Sequence, residues 1–109
     1  MSTLPNEVQS VAAIDVSVTD DTLTLDLADG RSISAPLAWY PRLLHGTIEE
    51  RNHWRLIGHG RGVHWPDLDE DISVENLLAG KSSGESQHSL KKWLGQRAGV
   101  HNSPTSGQP

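Results

Sequence analysis

The residues with the types and spacing to do chemistry lie between His53 and Glu75. Asp67-x-Asp69-x-Asp71 has the spacing that opens a calcium loop. Such a loop needs glycine at its sixth position and a bidentate glutamate at its twelfth. Here those positions hold Ile72 and Leu78, so an EF-hand is excluded. His53, His59 and His64 lack the HExxH spacing of a zinc protease. His59 and His64 could meet across a hairpin and, with Asp67 or Asp69, hold a metal; solvated surface histidines are the simpler reading. Gly58-x-Gly60-x-Gly62 resembles a phosphate-cradling loop, yet no Lys-Ser/Thr pair follows it and no helix starts there. A flexible turn accounts for it better. There is no cysteine and no Gly-x-Ser-x-Gly elbow, so no nucleophile stands out. His64 beside the acids could serve as a general base, but no residue pattern names a substrate. The reading is therefore of a non-enzyme, with no catalytic residue, no metal site and no cofactor.

The elements around these residues predict a mixed fold. Ile14, Val16 and Val18 alternate with polar residues, as do Leu23, Leu25 and Leu27. That period of two belongs to strands with one buried face. Asp29-Gly30 is a hairpin signal, and Ile33 and Ala35 continue into a third strand. Pro36 and Pro41 bracket Leu37-Ala38-Trp39-Tyr40, and Pro41 suits the first turn of a short helix over Arg42–His45. Thr47 and Glu50 have capping-box spacing for a helical turn reaching Asn52. Trp54, Leu56 and Ile57 begin a fourth strand, and Val63–Trp65 is the fifth, stopped by Pro66. An acidic turn follows, then Ser73 as N-cap of a helix over Val74–Ala79, closed by Gly80.

After a polar hinge at 81–84, Ser82 and Glu85 again have capping-box spacing. Leu90, Trp93 and Leu94 then make a narrow apolar stripe on a helix over 85–98 that Gly99 should end. Residues 1–10 and 99–109 read as a flexible start and a disordered tail. The expected architecture is α+β: one domain over 11–98, with a mostly antiparallel sheet of about five strands, short helices on one face and a C-terminal amphipathic helix.

Charge narrows the function classes. The net charge of −5 over 109 residues argues against nonspecific nucleic-acid binding. Residues 66–80 carry five acids and no base, whereas 81–109 carry Lys81, Lys91, Lys92 and Arg97 against Glu85. No stretch reads as a signal peptide or a membrane span, and the lack of cysteine fits a cytoplasmic protein. The four tryptophans supply the large side chains, since Phe is absent. Trp39, Trp54 and Trp65 are expected to pack helices onto the sheet. Trp93, following a hinge, docks either on its own sheet or on another chain, where tryptophan is a favoured anchor. Leu90, Trp93 and Leu94, flanked by Lys91 and Lys92, together with Asp67, Asp69 and Asp71, are therefore the candidate partner-binding residues.

Several segments in order resemble a small bacterial family of unknown function, DUF2442. They are Pro36-Leu37-Ala38-Trp39-Tyr40-Pro41-Arg42-Leu43, Trp54-Arg55-Leu56-Ile57-Gly58, Val63 through Val74, and Leu77-Leu78-Ala79-Gly80, with the Val18-to-Gly30 hairpin before them. The resemblance runs from about Val11 to Arg97; Asn76 departs from it, standing where a small residue is expected. It implies a compact α+β domain, often encoded beside another small protein, with no established catalytic residues. Some relatives carry a helix-turn-helix domain, which implies regulatory or toxin–antitoxin roles. The leading expectation is a protein-interaction module, antitoxin-like or homo-oligomeric, whose partner is a neighbouring gene's product or itself. The alternatives are a transcription regulator touching DNA through Lys91, Lys92 and Arg97, and a metal- or histidine-dependent enzyme.

Overall fold

Leu23, Leu25 and Leu27 are each 1% exposed or less, and the fold is built outward from them. The computed structural model describes residues 11–106, with side chains through Ala98; the expected flexible start 1–10 and the last three residues of the expected tail 99–109 lie outside the described residues. Strand β1 (Ala13–Val18) pairs antiparallel with β2 (Thr22–Leu27), and β2 with β3 (Ser32–Pro36). Register sets Val16 against Leu25, Leu25 against Ile33 and Leu23 against Ala35, so one face is continuously apolar. Thr19 accepts from the Thr22 amide to close the first turn. Gly30, at φ 94°, closes the second.

A 3-10 turn (Leu37–Trp39) and two short helices, α1 (Pro41–Leu44) and α2 (Ile48–Asn52), lead away from this sheet. Pro41 occupies the first turn of α1, and Thr47 and Glu50 form the full capping box of α2. Strands β4 (Arg55–Ile57), β5 (Gly62–Trp65) and β6 (Glu70–Ser73) then make a second antiparallel sheet. Helix α3 (Val74–Leu78) has Ser73 as its cap, and Gly80 follows at φ 75°. Helix α4 spans Gln87–Ser106. No helix among the described residues is long and apolar enough to cross a membrane.

The α+β class stands, but the single sheet of about five strands is corrected to two sheets of three. The cover segment between Pro36 and Arg55 carries the chain away from the first sheet. The two sheets then meet at one backbone hydrogen bond, from the Ala13 amide to the Gly60 carbonyl (2.7 Å). The sixth strand comes from what reads as an acidic turn. Asp69 takes a left-handed conformation (φ 51°), which aspartate tolerates, and reverses the chain within Pro66–Asp69. Glu70 then pairs with Trp65, and buried Ile72 is all the apolar content the strand needs.

Two expectations at the last helix are also corrected. Its start is capped by Ser86, whose hydroxyl accepts from the Ser89 amide (3.0 Å), and not by Ser82. It continues past Gly99 because glycine costs a helix only about 1 kcal/mol relative to alanine, a bias that other terms override. Both sheets share one core. Val63, Trp65, Leu68, Ile72, Val74 and Leu77 join the leucines of β2, with Trp39, Trp54 and Trp93 packed at its edge.

Gly60 marks the tightest approach. It sits at φ 86°, and a Cβ there would lie 2.7 Å from Ala12 Cβ and 2.8 Å from the Ala13 carbonyl oxygen. Gly30 has a similar φ but open space around it. Gly60→Ala is therefore expected to destabilise the fold by about 2–4 kcal/mol and Gly30→Ala by about 1 kcal/mol. Urea unfolding followed by tryptophan fluorescence measures both; equal losses would refute the close approach of the two sheets.

Candidate functional site

The residues expected to meet a partner fall into two groups once placed. Asp67, Asp69 and Asp71 are exposed on the β5–β6 hairpin, and Lys91 and Lys92 are exposed on α4. Leu90 is buried, and Trp93 and Leu94 are half-buried. The apolar stripe of α4 thus faces this chain's own body. The three aspartates do not converge on a cation. Asp67 pairs with His53 (2.7 Å), Asp69 reaches toward Arg42 (3.8 Å), and Asp71 pairs with His64 across the β5–β6 ladder. His59 sits exposed in the β4–β5 turn at φ 59°. Among the described residues no three His, Asp or Glu side chains are grouped as a metal ion requires.

The densest arrangement centres on Arg42, in the first turn of α1, which the sequence reading passed over. Its Nε donates to both oxygens of Glu85 (2.9 and 3.0 Å), and its Nη2 donates to Glu85 Oε2 (2.7 Å). Nη1 reaches the carbonyl oxygens of Leu68 and Asp69 (3.3 and 3.4 Å). The guanidinium also lies over the Trp93 ring, 4.9 Å from its centroid, and Arg97 lies 4.6 Å from the same ring. Arg97 in turn donates to both oxygens of Glu50 (2.8 and 3.2 Å). A continuous series Glu85–Arg42–Trp93–Arg97–Glu50 therefore spans the α1 helix, the α2 helix and α4. Of the three cations considered for DNA contact, Arg97 is committed to this series.

Two recesses lie beside this series, one of them lined by Arg42. One of about 250 Å³ is lined by Arg42, Asp69, Glu70, Ser83, Glu85 and Ser89. The other, about 150 Å³, lies among Tyr40, Glu70, Asp71, Asn76 and the 81–84 connection. That connection is pinned: the Ser83 amide donates to the Trp39 carbonyl (3.0 Å), and the Tyr40 hydroxyl donates to the Lys81 carbonyl (3.2 Å).

Glu70 is shared by both recesses. Burial pushes its carboxyl up to about 7; Arg42 offsets part of this, and Glu85, Asp71 and Asp69 add to it. Glu85 and Glu50 are held below the ordinary glutamate range, chiefly by hydrogen bonds from Arg42 and Arg97 respectively. A carboxyl near 7 can give or take a proton at neutral pH. Arg42, however, has its donors committed to Glu85 and the hairpin carbonyls, which leaves no free fork for an anionic substrate.

The sequence did contain a signal for Arg42: a cation set between Tyr40-Pro41 and Leu43-Leu44 in an apolar stretch. A charge that enters a half-buried run must find partners. Arg51, set among Glu49-Glu50 and Asn52-His53, gives no such signal yet is also satisfied by distant partners. It is 9% exposed and donates to the carbonyls of Leu43 (2.9 Å) and Leu44 (2.8 Å) and to Asp20 (3.2 Å).

A model of the family described as "Protein of unknown function (DUF2442)" matches residues 13–83, well over half of the chain. The chain belongs to this family. Its fold is shared with two solved structures. One is the crystal structure of a protein of unknown function from Rhodospirillum rubrum, with a TM-score of 0.61 and 22% identity, covering 72% of this chain and 96% of that one. The other is the solution NMR structure of an uncharacterised protein from Chromobacterium violaceum, with a TM-score of 0.61 and 19% identity, covering 81% of each chain. No curated protein matches the sequence. Arg42, Glu70 and the β5–β6 hairpin lie inside the matched segment, whereas α4 lies beyond it.

Glu70 sets a pH dependence with a definite sign. Its folded-state value lies above the unfolded one, so between about 4.5 and 7 the folded chain keeps a proton that the unfolded chain releases. Stability from this group therefore falls as pH rises through that window. Glu50 and Glu85 act oppositely: their contribution is present above the ordinary glutamate value and lost as pH falls. Glu70→Gln should stabilise the protein by about 1–2 kcal/mol at pH 8, after allowing for solvent screening, and by little at pH 5. Urea midpoints at the two pH values measure this. Arg42→Lys keeps the charge and loses the fork, so a loss of about 1–3 kcal/mol is expected in the same assay; an unchanged midpoint would show that the fork is dispensable.

Proposed function

We propose that this chain is a small non-catalytic module that binds a protein partner. The partner is a second copy or another small protein, such as the product of an adjacent gene, in an antitoxin-like pairing. Two features support the reading. Most of the charged groups that could do chemistry, Glu70 excepted, are engaged in structural pairs, namely Arg42 with Glu85, Arg97 with Glu50, Arg51 with Asp20, His64 with Asp71 and His53 with Asp67.

The observation that carries the proposal is the shared exposure of two isoleucines on neighbouring elements. Ile48 on α2 is 67% exposed and Ile14 on β1 is 61% exposed, and these two elements pack against each other. Ile14 is turned out by a register shift between Ala13 and Asp15. Leu44, at the end of α1, is exposed as well. A single exposed aliphatic residue is ordinary, but large ones on neighbouring elements are the raw material of an interface. The acidic hairpin supplies a separate polar margin, with the Asp69 side chain 87% exposed.

Burying an isoleucine at an interface contributes about 1.5–3 kcal/mol, or roughly tenfold or more in Kd. Light scattering across a concentration series, and co-purification with the adjacent gene's product, measure association. Ile14→Ser with Ile48→Ser should weaken association by about a hundredfold while leaving the urea midpoint nearly unchanged. A wild-type chain that stays monomeric and does not retain the adjacent product would sink the proposal.

A further inference from the structure

Helix α4 is joined to the body in a different way from the other elements. The core cluster is complete between Ala13 and Leu77 without any side chain from α4, and Trp93 only packs against its edge. Leu90, at 9% exposure, is the buried residue of α4 among the described residues. Beside Leu90 and the edge packing of Trp93, what holds the helix is charge and stacking: the Arg42–Glu85 pair just before it, the Arg97–Glu50 pair, and two guanidinium groups over the Trp93 ring. The match to the family ends at residue 83, before the helix begins at Gln87.

Magnitude separates the two kinds of attachment. A surface ion pair shifts an equilibrium by about two- to fivefold. A fully buried leucine shifts it by about ten- to a hundredfold. The body holds eight side chains that are essentially inaccessible, Trp65 and Leu23 among them. Opening the body is therefore far costlier than lifting α4. The connection before the helix is fixed to the body through Lys81, Ser83 and Glu85, so the pivot falls at Ser86.

We propose that α4 is a salt-released strap on an otherwise complete domain. Weakening the Arg97–Glu50 pair and the stack on Trp93 lifts the helix from Ser86 onward, and the two-sheet body remains folded. Lifting it uncovers Leu90 and Trp93. A detached helix of this length is marginal in water, so release appears as loss of amide protection. The strap is independent of whether the Ile14 and Ile48 face binds a partner.

Hydrogen exchange on the full chain tests it, at about 0.05 M and about 1 M NaCl, where the screening length falls from more than 10 Å to about 3 Å. Residues 90–98 should lose protection about three- to tenfold on adding salt, while β2 and β5 keep theirs. Arg97→Gln and Glu50→Gln should each reproduce that loss at low salt and blunt the further response. The proposal is overturned if α4 and the strands lose protection together. It is equally overturned if the protection of α4 ignores both salt and the two substitutions.

Discussion

A single guanidinium, that of Arg42, is the constraint from which the polar side of this molecule follows. It is only partly exposed, and a cation so placed must have its charge and its donors satisfied. Glu85 answers the charge through a bidentate contact, and the Leu68 and Asp69 carbonyls answer the remaining amine. Those carbonyls belong to the turn that makes β6 possible. Arg42 therefore fixes the β5–β6 hairpin, the connection after Gly80 and the approach of α4 at once. Glu70 shows the cost of this choice. It lies close enough to feel Arg42 but has no share in the fork, so burial dominates and its proton is held up to about 7.

Arg51 repeats the logic one helix later. Helix α1 has four residues, far too few to persist on hydrogen bonding alone. Its terminal carbonyls at Leu43 and Leu44 receive the Arg51 guanidinium, a cation at the negative end of a helix. The Arg51 carbonyl accepts from the Trp65 indole (3.0 Å), which satisfies the polar atom of the largest fully buried side chain. The helical cover is thus anchored to the second sheet through side chain to backbone bonds, and propensity plays a small part.

What could be read from the chain in advance is local. The alternation of Leu23, Leu25 and Leu27, the Asp29-Gly30 turn, the Thr47–Glu50 box, the Ser73 cap and Gly80 each depend on residues within a few positions. Features decided by distant partners were not legible. Nothing near Arg55 says which sheet it will join. The acids after Pro66 look like a turn until Asp69 is seen to reverse the chain and hand Glu70 to Trp65. Glu85 has the spacing of a capping residue for Ser82. A bidentate, charge-assisted contact with Arg42, forty-three residues away, outweighs a single cap bond, and Ser86 supplies the cap instead.

Trp93 brings these strands of reasoning together. On a helix with a narrow apolar stripe, a tryptophan reads either as a dock on its own sheet or as an anchor for another chain. Here two guanidinium groups lie over its ring, each held in place by its own carboxylate. A cation over the face of an indole is worth about 0.5–2 kcal/mol, depending on how dry the site is. While Arg42 and Arg97 hold the ring, no partner's side chain can take their place. Docking of α4 on its own body and recognition of another chain through Trp93 are therefore mutually exclusive states of the same side chain. Any partner that used Trp93 would have to outcompete the two arginines for it, whereas a partner bound at Ile14 and Ile48 would not.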